Sequence, residues 1–378
     1  MRLGRPSRRA GALEAAALGL TIGYAAVQLR FLYDWLRVPE APSPQAPDIG
    51  DWTVVIAARN EAECIERAVA SVRAQAAEVV VVDDHSEDAT AERARTAGAR
   101  VTTLPPRVTG KQAALTCGVQ LAESRWVAML DADAEAPPKW IAALEAAASG
   151  GAVAVAGPVS FAPARSWFER WQALDFCGMM AITAASLRRG RFAMGNGANL
   201  AVQREAFASV GGYGLPAGAR AAASGDDLLL LAKLMRRFPN RVAFAKTREA
   251  AVVTPPCPTV AAFVRQRWRW SAKTGLARER ALTATLALVW AFHVGLFAGV
   301  PLAAAGKLDR RVLAAAWLTK AGVDLALLRS AARFFGRTRL LDASYPAQSL
   351  AHAAYVAGVG TLALLPLDYE WKGRRHRV

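Results

Sequence analysis

Residues Leu282 to Ala305 form a run of 24 with no formal charge apart from a possible one on His293. At about 1.5 Å of rise per residue, a helix of that length reaches across a hydrocarbon core about 30 Å thick. A chain holding such a segment has to place it in a bilayer or bury it within a bundle. Gln348 to Leu367 is a second apolar run of similar length. Two further segments are interrupted. Ala10 to Leu29 carries Glu14 and Gln28, and Val312 to Leu328 carries Lys320 and Asp324, which lie four apart and can pair on one helical face inside a bundle. An amphipathic interfacial helix is the alternative for either. These segments explain an apolar fraction of 53% and a mean hydropathy of +0.17.

The arginines at 2, 5, 8 and 9 ahead of an apolar stretch imitate a signal peptide, but Glu14 interrupts the stretch and no small-x-small cleavage site follows it. Prolines at 39, 42, 44 and 47 mark an extended linker. The expected organisation is an N-terminal membrane anchor helix over 1–38, a Pro-rich linker over 39–50, a globular domain over 51–273, and C-terminal membrane helices with a basic tail over 274–378. The four cysteines show no CxxC spacing, which suggests neither zinc site nor disulfide framework and fits a reducing compartment. The net charge of +16 concentrates at the N-terminus, around Arg265 to Arg280, and in the tail from Lys372 to Arg377. All three clusters flank apolar spans, so anionic lipid headgroups account for them better than nucleic acid does.

Between the spans the pattern changes. Thr53 to Ala58 and Glu78 to Val82 are short runs of strand type, apolar at nearly every position, as expected of parallel strands covered on both faces. Asn60-x-x-Glu63 reads as a capping box ahead of Ile65, Val69 and Val72 at helical spacing. The strand, helix, strand order predicts a doubly wound α/β sheet, whose ligands sit beyond the carboxyl ends of the strands. Asp83 and Asp84 stand at one such end, ahead of a helix starting near Asp88, and turn chemistry alone could account for them. Asp131 and Asp133 stand at another, closing the run Trp126 to Leu130. If that run is a strand, its period of two puts both carboxylates on one side, an arrangement suited to a hard cation such as Mg2+ or Mn2+ that shares its remaining positions with water and a diphosphate. An acidic turn capping a buried strand is the alternative.

Seven segments then follow in order: IAARNE (Ile56 to Glu61), VDDHSEDAT (Val82 to Thr90), GKQAAL (Gly110 to Leu115), DAD (Asp131 to Asp133), GNGANLAV (Gly195 to Val202), SGDD (Ser224 to Asp227) and QRWRW (Gln266 to Trp270). Their order and spacing resemble those of the family-2 glycosyltransferases over about 220 residues, most of all the membrane-bound branch that includes cellulose, hyaluronan and poly-N-acetylglucosamine synthases. Each motif alone is weak; seven in order are not. Ala57 departs from the pattern, since the family commonly has proline there, and the change affects backbone rigidity rather than chemistry.

The resemblance implies a GT-A fold and a role for each residue. Asp83 and Asp84 would meet the donor's base and ribose, with Lys111 near the same nucleotide, although a lysine after glycine can equally be a solvated helix start. Asp131 and Asp133 would hold the metal and the donor diphosphate. Asp227 would be the general base, while Ser224-x-x-Asp227 also reads as a capping box before Leu228 to Leu231. Asp226, Gln266, Arg269 and Trp270 would serve the acceptor and the diphosphate, with the tryptophan supporting the acceptor sugar. An interfacial aromatic and basic belt is the alternative for this stretch, and Trp268 fits it. A helix over Phe168 to Ser186 is expected near the acceptor.

The expected protein is therefore an integral, multi-pass membrane glycosyltransferase with a cytoplasmic catalytic domain, in the inner membrane if the source is bacterial. It would use a nucleotide sugar, most simply a UDP-sugar, and a lipid-linked or glycan acceptor, by single displacement with inversion. The basic N-terminus and tail cannot both lie inside in a four-span arrangement, so one weak segment is expected to rest in the interface. A processive polysaccharide synthase is the nearest alternative, its pore needing an oligomer or a partner subunit. A membrane sugar nucleotidyltransferase would share the acidic nucleotide site but leaves QxxRW unexplained, and a non-catalytic partner leaves the intact acids Asp84, Asp131, Asp133 and Asp227 unexplained.

Overall fold

The computed structural model describes residues 8–190, 195–214, 226–271, 280–365, 369–371 and 374–376. After an apolar helix α1 (Arg8–Leu36), strands and helices alternate as β1 (Trp52–Ala58), α2 (Ile65–Val72), β2 (Glu78–Asp83), α3 (Thr90–Thr96), β3 (Arg100–Thr103), α4 (Lys111–Leu121) and β4 (Trp126–Asp131). Next come α5 (Trp140–Ala148), β5 (Ala154–Ala156), β6 (Val159–Phe161), α6 (Trp167–Arg189), β7 (Asn199–Gln203), α7 (Arg204–Ser209), α8 (Asp226–Arg237), β8 (Val242–Phe244) and β9 (Val252–Thr254). Helix α9 (Val260–Ser271) leads to α10 (Arg280–Ala304), α11 (Arg310–Phe334) and α12 (Tyr345–Leu362), and a short antiparallel pair, β10 (Tyr369–Trp371) and β11 (Arg374–His376), follows.

The main sheet runs β3-β2-β1-β4-β7-β5-β8. Its first four strands are parallel, and β7 lies antiparallel between β4 and β5. The uniformly apolar strands arise because both faces are covered. Val55, Val80, Val82, Val127 and Met129 enter one core with α4, α6 and α8, whereas Val54, Ile56, Val79, Val81 and Leu130 enter the other with α2 and α5. Each such side chain, removed fully from water, contributes about 1.5–3 kcal/mol before chain entropy is counted. Helix α4 lies so close to β1 that a Cβ on Gly118 would come within 2.3 Å of Val55 Cγ1. Only glycine permits that approach.

Two local expectations are corrected. Helix α2 begins at Ile65 with Cys64 at its N-cap and no side-chain cap, so Asn60 and Glu63 form no capping box. Asn60 instead adopts a left-handed φ of 52°, and its Oδ1 accepts from the Glu87 amide at 2.8 Å, joining the first two loops at the sheet's edge. Strand β4 ends at Asp131, and Asp133 follows in a turn closed by the Ala134 amide on the Asp131 carbonyl (3.1 Å). Ala132 and Ala134 are nonetheless buried while Asp133 is exposed, so the expected alternation survives in the turn.

Helix α6 extends past the expected Phe168 to Ser186. A capping box starts it, with the Glu169 amide donating to Ser166 Oγ (3.1 Å) and the Ser166 amide to Glu169 Oε2 (2.9 Å), and Gly190 in the left-handed region ends it. Against α6 lie α1 and α11, and α10, α11 and α12 complete a helical bundle with α1. The C-terminal halves of α1 and α11 supply Trp35, Leu327 and Ala331 to the sheet's core, and Val38 joins them just after α1. Tyr24 near the middle of α1 and Ala316 in the first half of α11 pack with Phe292 and Leu296 of α10. Lys320 and Asp324 pair at 3.1 Å inside this bundle, where Asp324 Oδ1 accepts from the Tyr24 hydroxyl (2.6 Å) and the Lys320 ammonium donates to the Ser349 carbonyl (2.7 Å).

Among the described residues, two helical stretches, Gly11–Leu36 and Arg280–Ala304, are long and apolar enough to cross a membrane. Leu13, Leu18, Ile22 and Leu29 of α1 point outward, with Ile22 67% exposed. The other two expected spans are less apolar: α11 carries the buried ion pair, and the 18 residues of α12 include Gln348, Ser349 and His352. Ser224 with its expected capping box, the side chain of Asp226, and most of the basic tail lie outside the described residues.

Candidate active site

The acids gather where β1, β2 and β4 end. Asp84 is buried directly after β2; its amide donates to the Ala58 carbonyl (2.8 Å), and its carbonyl accepts from Arg59 Nη1 (2.8 Å). Its Oδ2 accepts from the Gly110 amide at 3.0 Å. Gly110 adopts φ 104°, a conformation that a side chain would strain, and it delivers Lys111 as the first residue of α4. The Lys111 ammonium does not extend into solvent as at an ordinary helix start. It donates to Asp131 Oδ1, and the two side chains keep 25% and 29% of their exposure. Asp83 behaves differently: it is buried and accepts from the Ser86 amide through both oxygens (3.2 and 3.3 Å), which is turn chemistry.

The loop before β7 completes the cluster. Gly197 donates its amide to Asp227 Oδ2 at 2.8 Å, on the first turn of α8. A Cβ added to Gly197 would stand 3.6 Å from Lys111 Nζ and 3.7 Å from Asp227 Cγ. Asp131, Lys111, Gly197 and Asp227 thus form one continuous contact series, although 96 residues separate the two acids in sequence. Asn199, at the foot of that loop, is fully buried: it accepts from Trp140 Nε1 (2.9 Å) and donates to the Pro158 and Ala250 carbonyls (2.7 and 2.8 Å). Sequence reasoning treated GNGANLAV as a block and missed this residue, which fixes the loop.

The turn holding Asp133 faces the segment ahead of α9. Burial pushes the Cys257 thiol up, Arg267 and Arg269 pull it down, and Asp133 pushes it up. A carboxylate of the β4 turn and a guanidinium of α9 therefore act on the same group. Gln172, buried on α6, holds that segment by donating to the Cys257 carbonyl (2.9 Å) and accepting its amide (3.0 Å). On α9, Gln266, Trp268, Arg269 and Trp270 are half-buried, and Gln266 Oε1 is a buried acceptor with no hydrogen-bond partner among the described residues. Trp270 packs toward Phe176 at 6.0 Å between ring centroids. The buried member of QRWRW is Arg267, a residue outside the QxxRW pattern.

Among the described residues no group of three or more His, Cys, Asp and Glu side chains converges as a metal site. Asp131 and Asp133 offer two carboxylates and no imidazole or thiolate. That donor set fits a hard divalent cation completed by diphosphate oxygens and water, not a closed structural site.

The mixed sheet, with acids at the carboxyl ends of its parallel strands where ligands of such sheets sit, has the GT-A fold. Residues 53–211 match the family described as glycosyl transferase family 2. Over 102 residues it is 40% identical to the succinoglycan biosynthesis protein ExoO of Rhizobium meliloti (strain 1021), a match covering 24% of this chain and 27% of that protein. The alignment thus spans about a quarter of that curated relative. Among solved structures, the mannosyltransferase PcManGT from Pyrobaculum calidifontis, in complex with GDP-Man and Mn2+, matches over 94% of this chain and 98% of its own, at 22% identity and a TM-score of 0.59. Glucosyl-3-phosphoglycerate synthase from Mycobacterium tuberculosis matches over 64% and 86%, at 20% identity and a TM-score of 0.46. The fold is shared along nearly the whole length of the mannosyltransferase, helical bundle included.

Proposed function

We propose that this chain is a membrane-anchored, inverting glycosyltransferase that moves a sugar from a nucleotide-sugar donor, a UDP-sugar in the simplest case, to a hydroxyl of a lipid-linked or glycan acceptor. The observation that carries this reading is the contact series from Asp131 through Lys111 and Gly197 to Asp227. It sets a diphosphate-holding carboxylate and a candidate base on either side of one cationic side chain. Asp131 and Asp133 would hold Mg2+ or Mn2+, which when bound supplies charge neutralisation of the departing diphosphate. Lys111 would shift its ammonium toward the same phosphates, and Asp84 would fix the nucleotide through the Gly110 turn. Asp227, oriented by the Gly197 amide, would take the acceptor proton as the hydroxyl attacks the anomeric carbon. Gln266, with its unpartnered Oε1, and Trp270 would bind the acceptor, with Asp226 and Arg269 toward the diphosphate.

Helices α1 and α10 would anchor the protein and leave the catalytic domain in the cytoplasm, where nucleotide sugars are made. With two helices among the described residues long enough to cross, the bundle offers few walls for a polymer channel by itself, which favours one or a few additions per acceptor. The succinoglycan relative agrees with a glycan product. The test is a screen of UDP- and GDP-sugars with the full chain purified in detergent with Mn2+, read as nucleoside diphosphate release. Release of pyrophosphate would identify a nucleotidyltransferase, and an absence of turnover with every donor would favour a non-catalytic partner.

A further inference from the structure

Arg267 is 2% exposed, and its surroundings are unusual for a guanidinium. It donates to Asp175 Oδ2 at 3.0 Å, and its Nε has no hydrogen-bond partner among the described residues. Four rings surround it: Trp270 at 4.4 Å from the ring centroid, Phe263 at 4.8 Å, Phe176 at 5.8 Å and Tyr355 at 5.9 Å. A guanidinium removed from water at this cost requires its counter-ion, and Asp175 is itself buried on α6. The other carboxylate oxygen of Asp175 faces His352 Nε2 of α12 at 3.6 Å. One buried ion pair therefore joins α6, α9 and α12 and presents its cation to the indole of Trp270.

We infer that Arg267 and Asp175 are positioning residues for Trp270: the buried guanidinium holds one face of the indole, leaving the half-exposed remainder to receive the acceptor sugar. The inference rests on the proposed acceptor role of Trp270. Cation–π attraction acts along the ring normal and so fixes the ring plane as well as its place. Asp175 sets the guanidinium's height over the ring, because moving it would leave two buried charges unpaired. The tie to α12 sets the platform at a fixed place relative to the helical bundle.

The test uses the full chain in detergent, labelled with 5-fluorotryptophan, with the Trp270 resonance assigned from Trp270→Phe. Replacing a buried ion pair by apolar side chains of similar size commonly preserves folding, so the Arg267→Met, Asp175→Leu double variant is the decisive one. It is expected to unfold at the wild-type temperature and to keep its donor affinity, while the Trp270 fluorine signal shifts and broadens as the ring gains freedom. With octyl β-glucoside as a surrogate acceptor, acceptor-dependent turnover at subsaturating acceptor should fall about fivefold or more, the scale of a cation–π contact, with donor hydrolysis unchanged. Arg267→Lys, which retains the charge, should recover part of both effects. An unaltered Trp270 resonance in the folded double variant would overturn the inference. If Trp270→Ala leaves acceptor-dependent turnover at the wild-type level, the acceptor role itself fails, whatever the resonance shows.

Discussion

The Lys111 ammonium donates to Asp131 Oδ1, so the first side chain of α4 is tied to the last residue of β4 across the carboxyl edge of the sheet. The bond brings the cation of one loop and the acid of another into a single electrostatic unit, and Gly197 packs against it from the Asp227 side. On the proposed function, a diphosphate entering here would meet a lysine already held in place, with two carboxylates to share a cation.

Removing either acid of that unit separates metal chemistry from folding. Asp131→Ala or Asp133→Ala is expected to abolish cation-dependent donor turnover while the far-ultraviolet circular dichroism and membrane association stay unchanged. Full activity of the wild type in excess chelator would refute the metal assignment.

Asn199 offers a test of the loop that carries Gly197. Asn199→Leu removes one acceptor and two donor contacts and strands the Ala250 carbonyl and Trp140 Nε1, while the Pro158 carbonyl keeps the Val252 amide. Each buried group left unsatisfied costs about 1–3 kcal/mol, so a loss of at least about 2 kcal/mol is expected in denaturant unfolding. A loss under half of that would mean water replaces the amide.

Packing at Gly118 can be checked in the same way. Gly118→Ala drives a methyl into Val55 Cγ1, a stiff β-branched neighbour that is fully buried, and overpacking of this kind costs about 1–3 kcal/mol. Adding Val55→Ala should restore part of the loss. Equal losses in the single and double variants would place the strain elsewhere.

Product size separates single addition from polymerisation. After incubation with excess donor, one mass increment on a defined acceptor is expected. A ladder reaching high mass from the isolated chain would show processive synthesis and a conduit that the two long apolar helices do not explain.

Much of the fold could be read because the signals were redundant. Parallel strands covered on both faces leave no polar position to confuse the pattern, and β1, β2 and β4 fell where Thr53, Glu78 and Trp126 begin their apolar runs. Lys320 and Asp324 are paired inside the bundle because two opposite charges one helical turn apart have little other way to be buried. Local signals with competing partners misled. Asn60 has the side chain of a helix cap, but a left-handed backbone turned it toward Glu87, a partner 27 residues away. Arg267 and Asn199 escaped for a related reason. An arginine next to tryptophans reads as a surface belt, and an asparagine in a glycine-rich loop reads as a turn; only tertiary contacts with Asp175 and with Trp140 show both to be buried.

The most direct test of the central claim compares Asp227→Asn with the wild type, using nucleotide-sugar binding and sugar transfer measured on the same detergent-purified preparations. The amide keeps the size of the side chain and can still accept from the Gly197 amide, while it cannot take up the acceptor proton. Binding is expected to stay within about twofold, and transfer to fall on the order of 100- to 10,000-fold, the contribution of a general base. Transfer reduced by less than tenfold would show that another group takes the proton and that the Asp131–Lys111–Gly197–Asp227 series is not the catalytic centre.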